Sequence, residues 1–134
     1  MSDGTATVGA RRPTTILICE DDPSIRALIR IVLPGNYRFI EAGDGVEAVE
    51  LARAEQPDLV VLDLMLPLKS GLEVLAWLRQ DPRFSATPVL AISAFAGEAE
   101  QRAVAAAGAD RFLSKPFDPD ELNATVVELL TQRP

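Results

Sequence analysis

The chain has 134 residues, with 13 basic and 20 acidic side chains, a formal net charge of −7, one cysteine and no histidine. This length is that of one ordinary domain, and a hydrophobic fraction of 48% can supply a core. Without histidine, Ser-His-Asp and Cys-His catalysis and imidazole-ligated metal sites are excluded, and a single cysteine leaves no internal disulfide. Net acidity disfavours direct nucleic-acid binding. No segment has the apolar length of a membrane span or a secretion signal, so we expect a soluble cytoplasmic protein without membrane attachment.

Strand-like and helix-like segments alternate after residues 1–13, which are small and polar and which we expect to form a flexible tail. The predicted strands are Thr15–Cys19, Tyr37–Glu41, Leu59–Leu62, Val89–Ile92 and Arg111–Ser114. The predicted helices are Asp22–Leu33, Asp44–Glu55, Ser70–Gln80, Gly97–Ala107 and Asp118–Thr131. Helical spacing predicts that Val46 in the second helix and Leu72 in the third point into the core.

Three of the helix starts have capping-box spacing, in which a cap side chain and an acid three residues later satisfy free backbone N–H groups: Asp44-x-x-Glu47, Ser70-x-x-Glu73 and Asp118-x-x-Glu121. Five consecutive strand–helix units predict an α/β fold, with a parallel sheet covered by helices on both faces. In such folds ligands bind beyond the carboxyl ends of the strands. A binding or catalytic site is therefore expected at those ends.

Acidic side chains follow two of the strands. Glu20 and Asp21 end the first strand, and Asp63 ends the third, where it interrupts an otherwise apolar run. An isolated buried carboxylate costs several kcal/mol unless it is paired or metal-bound. Acids brought together from neighbouring strand ends repel one another unless a divalent cation lies between them, and oxygen ligands suit Mg²⁺.

The fourth and fifth strands add a hydroxyl and an ammonium group to the same edge. Ser93 ends the fourth strand, and Lys115 follows the fifth in an otherwise apolar stretch. An aspartate nucleophile, a magnesium ion, a lysine and a hydroxyl are the groups that phosphoryl transfer requires, and carboxylates do form aspartyl-phosphate intermediates. Asp63 is the predicted nucleophile.

These residues carry a resemblance to a known family. The matching segments are Ile16–Asp22, Asp58–Pro67 followed by Gly71, Pro88–Ala94 and Gly108–Phe117. On these motifs, residues 14–131 resemble the receiver domain of two-component response regulators, of the type found in chemotaxis regulators. The resemblance implies a flavodoxin-like (βα)5 three-layer sandwich with a five-stranded sheet of order 2-1-3-4-5. It also implies that Asp63 accepts a phosphoryl group from a phosphohistidine on a partner sensor kinase or histidine phosphotransfer protein.

The resemblance further assigns roles to the remaining site residues. It implies a Mg²⁺ ion held by Asp21, Asp63, the backbone carbonyl of Met65 and, through water, Glu20. Ser93 and Lys115 are implied to hold the phosphoryl oxygens. Such a protein is no enzyme towards other substrates, since it catalyses only its own phosphorylation and slow dephosphorylation.

A conformational switch is implied as well. Phe112 matches the family's switch aromatic, which pairs with Ser93 and turns inward on phosphorylation, and the Lys115–Pro116 peptide is typically cis in the family. The face made by the fourth helix, fifth strand and fifth helix then changes, and it is also a candidate homodimer surface. Here the switch aromatic is Phe rather than Tyr, so no tyrosyl hydroxyl reports the switch to a downstream effector, which the sequence does not identify.

Two residues at the expected mouth of the site are apolar. Met65 and Phe95 stand two residues after Asp63 and Ser93, respectively. Apolar side chains there should impede the water that hydrolyses an aspartyl phosphate. We therefore predict a phosphorylated state that is longer-lived than one with polar residues at both positions.

Several alternatives remain open on the sequence. Residues 43–48 fit the dinucleotide fingerprint G-x-G-x-x-A, although Asp44 would face the pyrophosphate. A phosphatase of the haloacid-dehalogenase type is disfavoured because Met65 stands where the general acid belongs. A receiver-like module that only binds partners is a third reading. Residues 132–134 hold no output domain, so the chain is expected to be a stand-alone receiver or a piece of a multidomain regulator or hybrid kinase.

Overall fold

The structure, a computed structural model, describes residues 12–94 and 97–132. Five strands are present: β1 Thr15–Cys19, β2 Arg38–Ala42, β3 Leu59–Asp63, β4 Val89–Ser93 and β5 Arg111–Ser114. Five helices follow them: α1 Pro23–Val32, α2 Gly45–Glu55, α3 Gly71–Gln80, α4 Glu98–Ala106 and α5 Pro119–Thr131. Residues 1–11 of the predicted tail, and residues 133 and 134, lie outside the described part of the chain.

The strands form one parallel sheet of order β2-β1-β3-β4-β5, which confirms the predicted flavodoxin-like topology. Side chains alternate between its two faces. Leu17, Val60 and Leu62 pack towards α2 and α3, whereas Ile16 and Val61 pack towards α1 and α5. Because β1, β3 and β4 are buried on both faces, their sequences are continuous apolar runs. Among the described helices, none is long and apolar enough to cross a membrane.

The predicted helix caps are present, although only one is a complete capping box. At α3, Ser70 Oγ accepts from the Glu73 N–H, and the Glu73 carboxylate accepts from the Ser70 N–H. At α2, Asp44 accepts from the Glu47 N–H. At α5, Asp118 accepts from Asp120, two residues on, rather than from the third helical position. The caps fix where each helix begins after its strand.

The predicted inward orientation of Val46 and Leu72 is wrong, since these side chains are 42% and 44% exposed. The buried face of α2 instead consists of Gly45, Ala48, Val49 and Ala52, and that of α3 of Gly71, Val74, Leu75 and Leu78. A Cβ on Gly45 would lie 1.8 Å from the Lys69 carbonyl oxygen. Small residues therefore mark the faces of closest approach, and they turn both larger side chains outward.

Candidate phosphoryl-transfer site at the carboxyl edge of the sheet

The strand register brings the predicted site residues to one edge of the sheet. Cys19 pairs with Leu62, so the residues that follow them, Glu20 and Asp63, are neighbours. On the other side of β3, the Leu64 N–H donates to the Ile92 carbonyl at 3.0 Å, one residue before Ser93. The topology therefore assembles the acids and the hydroxyl without any long loop.

Asp63 is almost completely buried, with 2% of its surface exposed, and both of its carboxylate oxygens are bonded. Oδ2 accepts from the Lys115 ammonium at 2.8 Å, and Oδ1 accepts from the Met65 N–H at 2.9 Å. These charge-assisted bonds fix the orientation of the carboxylate at the base of the site.

Glu20 is fully buried beside Asp63. Its Oε2 accepts from the Asp22 N–H at 3.0 Å, and its Oε1 forms an ion pair with Lys115 Nζ at 2.7 Å. Burial raises the pKa of Glu20 to about 7, although the Lys115 ammonium and the Asp22 N–H oppose the shift; the negative charge of Asp63 adds to it. The Lys115 ammonium alone therefore does not offset the effect of burial, and the Glu20 carboxyl ionises less readily than it would in water.

Lys115 is the cation that contacts both buried acids. Burial acts to lower its pKa, but the carboxylates of Asp63 and Glu20 outweigh that effect, and the pKa of Lys115 is raised. The side chain thus remains an ammonium group over the pH range in which proteins work. One ammonium faces the acidic cluster of Glu20, Asp21 and Asp63.

The acidic cluster fits a hard divalent cation. One carboxylate oxygen from each of Glu20, Asp21 and Asp63 lies within 4.8 Å of the others. Glu20 Oε1 is buried and forms an ion pair with the Lys115 ammonium. An all-oxygen set with surplus negative charge and one solvent-exposed member, Asp21, matches the preferences of Mg²⁺.

Ser93 and Lys115 lie on neighbouring strand ends, as predicted. Ser93 is fully buried at the end of β4, and its carbonyl accepts from the Lys115 N–H at 2.8 Å. The Lys115–Pro116 peptide is cis, the form that the resemblance implies. Ser93 and Lys115 therefore lie at the same edge of the sheet as Asp63.

The structure describes two further predicted site residues, Phe112 and Met65. Phe112 is half-buried in β5, opposite Ala91, and packs with Leu64 and Val104 between the sheet and α4. The Met65 side chain is 59% exposed. Phe95, the other predicted mouth residue, lies outside the described residues.

The supporting roles of two residues were not predicted from the sequence. Arg26 donates from Nη1 to the Glu20 carbonyl at 2.6 Å and from Nε to Glu41 at 2.9 Å. A Cβ on Gly71 would lie 2.4 Å from the Asp63 carbonyl oxygen. Bonds to a backbone carbonyl leave no sequence pattern, but the glycine directly after the Ser70 cap was a usable signal of close approach.

Cys19 and the glycine-rich segment have structural explanations. Cys19 is buried in β1, and burial raises the pKa of its thiol, as expected for a packing residue rather than a nucleophile. In the dinucleotide-like segment, Gly45 is required because α2 touches the Lys69 backbone. The fingerprint spacing is thus accounted for by packing.

The chain is a flavodoxin-like α/β protein with an acidic, lysine-containing site at the carboxyl edge of its sheet. A family model described as "Response regulator receiver domain" matches residues 16–127. The chain therefore belongs to the response regulator receiver domain family, whose members are signalling domains rather than enzymes in the usual sense.

Curated relatives and solved structures agree with this assignment. The chain is 34% identical over 119 residues to the polar-differentiation response regulator DivK of Brucella anthropi, covering 88% of this chain and 97% of that protein. It is 38% identical over 118 residues to the hybrid signal transduction histidine kinase D of Dictyostelium discoideum, covering 88% of this chain but only 8% of the kinase.

Among solved structures, a putative response regulator from Chloroflexus aurantiacus superimposes with a TM-score of 0.84 at 32% identity, covering 90% of this chain and 100% of that one. The chemotaxis response regulator CheY4 of Vibrio cholerae gives a TM-score of 0.83 at 28% identity, covering 89% of this chain and 100% of that one. The fold and the family thus agree.

Proposed function

We propose that Asp63 accepts a phosphoryl group from a phosphohistidine on a sensor histidine kinase or a histidine phosphotransfer protein. The observation that carries this proposal is the Asp63 carboxylate, which is buried, bonded to Lys115 Nζ at 2.8 Å and flanked by two further acids. A carboxylate held this way at the carboxyl end of a strand in a parallel sheet is oriented for nucleophilic attack.

In the proposed transfer, one Asp63 carboxylate oxygen forms a bond to phosphorus as the phosphorus–nitrogen bond of the phosphohistidine breaks. The electron pair of the broken bond stays on the imidazole of the partner. Lys115 is placed to balance negative charge on the phosphoryl oxygens, and the Ser93 hydroxyl is a second proposed donor to them. The Met65 N–H keeps the carboxylate from rotating.

We propose that Mg²⁺ occupies the acidic cluster. Asp21, Asp63 and the Met65 carbonyl would hold it directly, and Glu20 through water. When bound, the ion supplies positive charge that neutralises the developing charge of the phosphoryl group. This assignment is supported by the carboxylate oxygens that lie within 4.8 Å of one another.

The output of the domain is proposed to be a change at the α4–β5–α5 face. Ser93 moves towards the phosphoryl group, and Phe112 turns inward between β4 and α4. The packing of Phe112 with Leu64 and Val104 supports this route, because Leu64 directly follows the acceptor. The same face is the proposed surface for an effector or for a homodimer.

The setting of the domain is also a proposal. A cytoplasmic location fits a partner kinase with a cytoplasmic phosphohistidine. Both the near-complete match to a single-domain regulator and the match to a short part of a hybrid kinase fit the family, so a stand-alone receiver and a piece of a larger protein are both compatible with it.

The decisive experiment is incubation of the chain with acetyl phosphate and Mg²⁺, followed by intact mass spectrometry. We expect a gain of one phosphoryl group that is lost in Asp63→Asn. Asp44→Asn is the matched control, because asparagine caps a helix as well as aspartate does and Asp44 lies outside the acidic cluster. Absence of any gain in the wild-type chain would support a receiver-like module that only binds partners.

A further inference from the structure

The loop between β3 and α3, residues 64–70, has both of its ends close to Asp63. The Met65 N–H bonds the Asp63 carboxylate at its start, and the Gly71 N–H donates to the Leu64 carbonyl at 3.1 Å at its end. Gly71, which follows the loop, packs closely against the Asp63 carbonyl oxygen. The loop therefore begins and ends beside the acceptor.

Leu68, at the tip of this loop, is both strained and exposed. Its φ is +69°, and the Lys69 N–H donates to the Pro67 carbonyl at 2.8 Å across it. This i to i+2 bond around a positive φ is the rare and strained form of the γ-turn. Glycine or asparagine adopts such a φ readily, whereas a leucine does so at a cost. The Leu68 side chain is 81% exposed, so no packing within the described chain offsets that cost.

Helix α2 holds the strained turn in place. The Gly45 N–H donates to the same Pro67 carbonyl at 3.1 Å, and Gly45 abuts the Lys69 carbonyl. Strain of this kind persists only where the surrounding structure fixes it, and it concentrates at ligand clamps and functional sites.

The turn belongs to an apolar rim, which we define as Val46, Met65, Leu68 and Leu72. In the described part of the chain, these are four of the seven large hydrophobic side chains that are most exposed. These four residues lie on three adjoining segments, which are the start of α2, the β3–α3 loop and the start of α3. The start of α2 contacts the loop, and Leu72 is the second residue of α3. Beyond the rim, acids such as Asp21, Asp22, Asp44 and Asp118 surround the mouth. The apolar rim therefore lies on an edge that also carries several acids.

We propose that Leu68 is a docking contact for the histidine-bearing protein that phosphorylates Asp63, an inference that rests on the proposed function. Because the Asp63 carboxylate is buried, the donor's imidazole must enter the site. The donor's backbone must then lie within one side-chain length of the mouth. In that position the donor contacts the loop that follows Asp63. An apolar side chain fixed at the tip of that loop meets the donor without a further loss of backbone freedom.

The proposal predicts that substitutions of Leu68 that raise the stability of the chain slow phosphotransfer from the protein donor. Leu68→Asn relieves the strained φ and should raise the Tm by roughly 3–6 °C. The same change should slow phosphotransfer from a protein donor about tenfold, because an apolar contact is lost. Leu68→Met keeps both the strain and the apolar contact, so its Tm and its transfer rate should stay near those of the wild type. Val127→Asn, at a 44% exposed valine on α5, is the control for a generic loss of surface hydrophobicity and should alter transfer less than twofold.

Transfer is measured with the purified, radiolabelled phosphorylated cytoplasmic regions of the source organism's histidine kinases, each incubated separately with every variant. Acetyl phosphate serves as the small donor that needs no docking, and Leu68 lies outside the residues proposed to hold the acceptor, the metal or the phosphoryl group. We expect equal labelling of wild type and Leu68→Asn by acetyl phosphate, and slower labelling of Leu68→Asn by the fastest kinase.

The outcomes separate the two proposals. If acetyl phosphate labels Asp63 but the kinase labels Leu68→Asn as fast as wild type, or labels neither, the docking role of Leu68 is overturned while the acceptor role of Asp63 stands. If acetyl phosphate labels nothing, the proposed function fails. A wild-type dimer in sedimentation velocity that Leu68→Asn dissociates would overturn the docking proposal in favour of contact with a second copy of the chain.

Discussion

Gly45 is the residue that sets how closely α2 approaches the β3–α3 loop. A Cβ there would lie 1.8 Å from a backbone oxygen, so Gly45→Ala must move the helix or the loop. We expect the free energy of unfolding to fall by about 2–3 kcal/mol, the usual range for overpacking, even though alanine is the better helix former. Urea denaturation followed by tryptophan fluorescence measures the change.

Gly97 provides the matched control for this substitution. It caps α4, and a Cβ there would meet nothing within 4 Å. Gly97→Ala should therefore lower the free energy of unfolding by less than about 1 kcal/mol, since it loses only the preference for glycine over alanine at an N-cap. Equal effects of the two substitutions would show that Gly45 does not control the approach.

Met65 is the residue for which we predict an effect on the lifetime of the phosphorylated state. Its apolar side chain is 59% exposed beside the acceptor and has no group that positions water. Met65→Asn should therefore accelerate loss of the phosphoryl group severalfold, and Phe95→Glu should do the same. Decay of the phosphorylated protein is followed by Phos-tag electrophoresis. Ile31→Asn, at an exposed isoleucine in the last turn of α1, is the control for an exposed apolar residue outside the mouth, and decay no faster in either mouth variant than in wild type would contradict the prediction.

The composition of the site was predictable from residue identity and topology. Glu20, Asp63 and Lys115 each follow a strand, and parallel strands end at the same edge, so their convergence needed no coordinates. What the sequence could not show is that Lys115 bonds both acids at once, or that Leu68 has a positive φ. A leucine is disfavoured there on local grounds, and only the tertiary contacts from α2 make the conformation understandable.

At the scale of elements, buried strands and capped helices were predictable, but helix faces were less so. Continuous apolar runs identify β1, β3 and β4 because strands buried on both faces need no polar alternation. The spacing of large apolar residues misplaced Val46 and Leu72, because the buried face of α2 is formed largely by glycine and alanine and that of α3 begins with a glycine in close contact. Hydrophobicity alone gives such small residues too little weight.

Arg79 joins the end of α3 to the far end of α4, and it carries the prediction at this scale. Its guanidinium donates to the carbonyls of Gly108, Phe84 and Thr87 at 2.9–3.0 Å and to Asp110 at 3.1 Å. At the other end of α4, Gly97 offers no side-chain cap. The helix is therefore held chiefly at its carboxyl end, which suits an element proposed to move at its amino end.

Arg79→Lys should lower the free energy of unfolding by about 2–3 kcal/mol, since lysine retains the charge but cannot reach several acceptors at fixed angles. Amides of residues 105–109 should also exchange with deuterium faster, as measured by mass spectrometry. Arg102→Lys, on the exposed side of α4, should alter neither quantity. Unchanged exchange in Arg79→Lys would mean that the carboxyl end of α4 is held by other contacts.

At the scale of the whole molecule, the phosphoacceptor site is a source of instability within an otherwise apolar and well-capped fold. Three carboxylates face one ammonium, and two of those acids are buried. Asp63→Asn removes one negative charge, while Lys115 keeps its ion pair with Glu20. In metal-free buffer we therefore expect Asp63→Asn to be more stable than wild type by about 1 kcal/mol, because repulsion among like charges is relieved.

Mg²⁺ should reverse this order of stability, because wild type keeps all three carboxylates of the acidic cluster and Asp63→Asn does not. A ligand at one hundred times its dissociation constant adds about 2.7 kcal/mol to the free energy of unfolding, and Asp63→Asn should gain much less. Urea titrations of both proteins in EDTA and in millimolar MgCl₂, with NaCl added to equal ionic strength, measure the effect apart from screening. Asp44→Asn should respond to the ion as wild type does. If Mg²⁺ stabilised wild type and Asp63→Asn equally, the ion would be binding elsewhere, and the acidic cluster would lose its proposed role as the metal site.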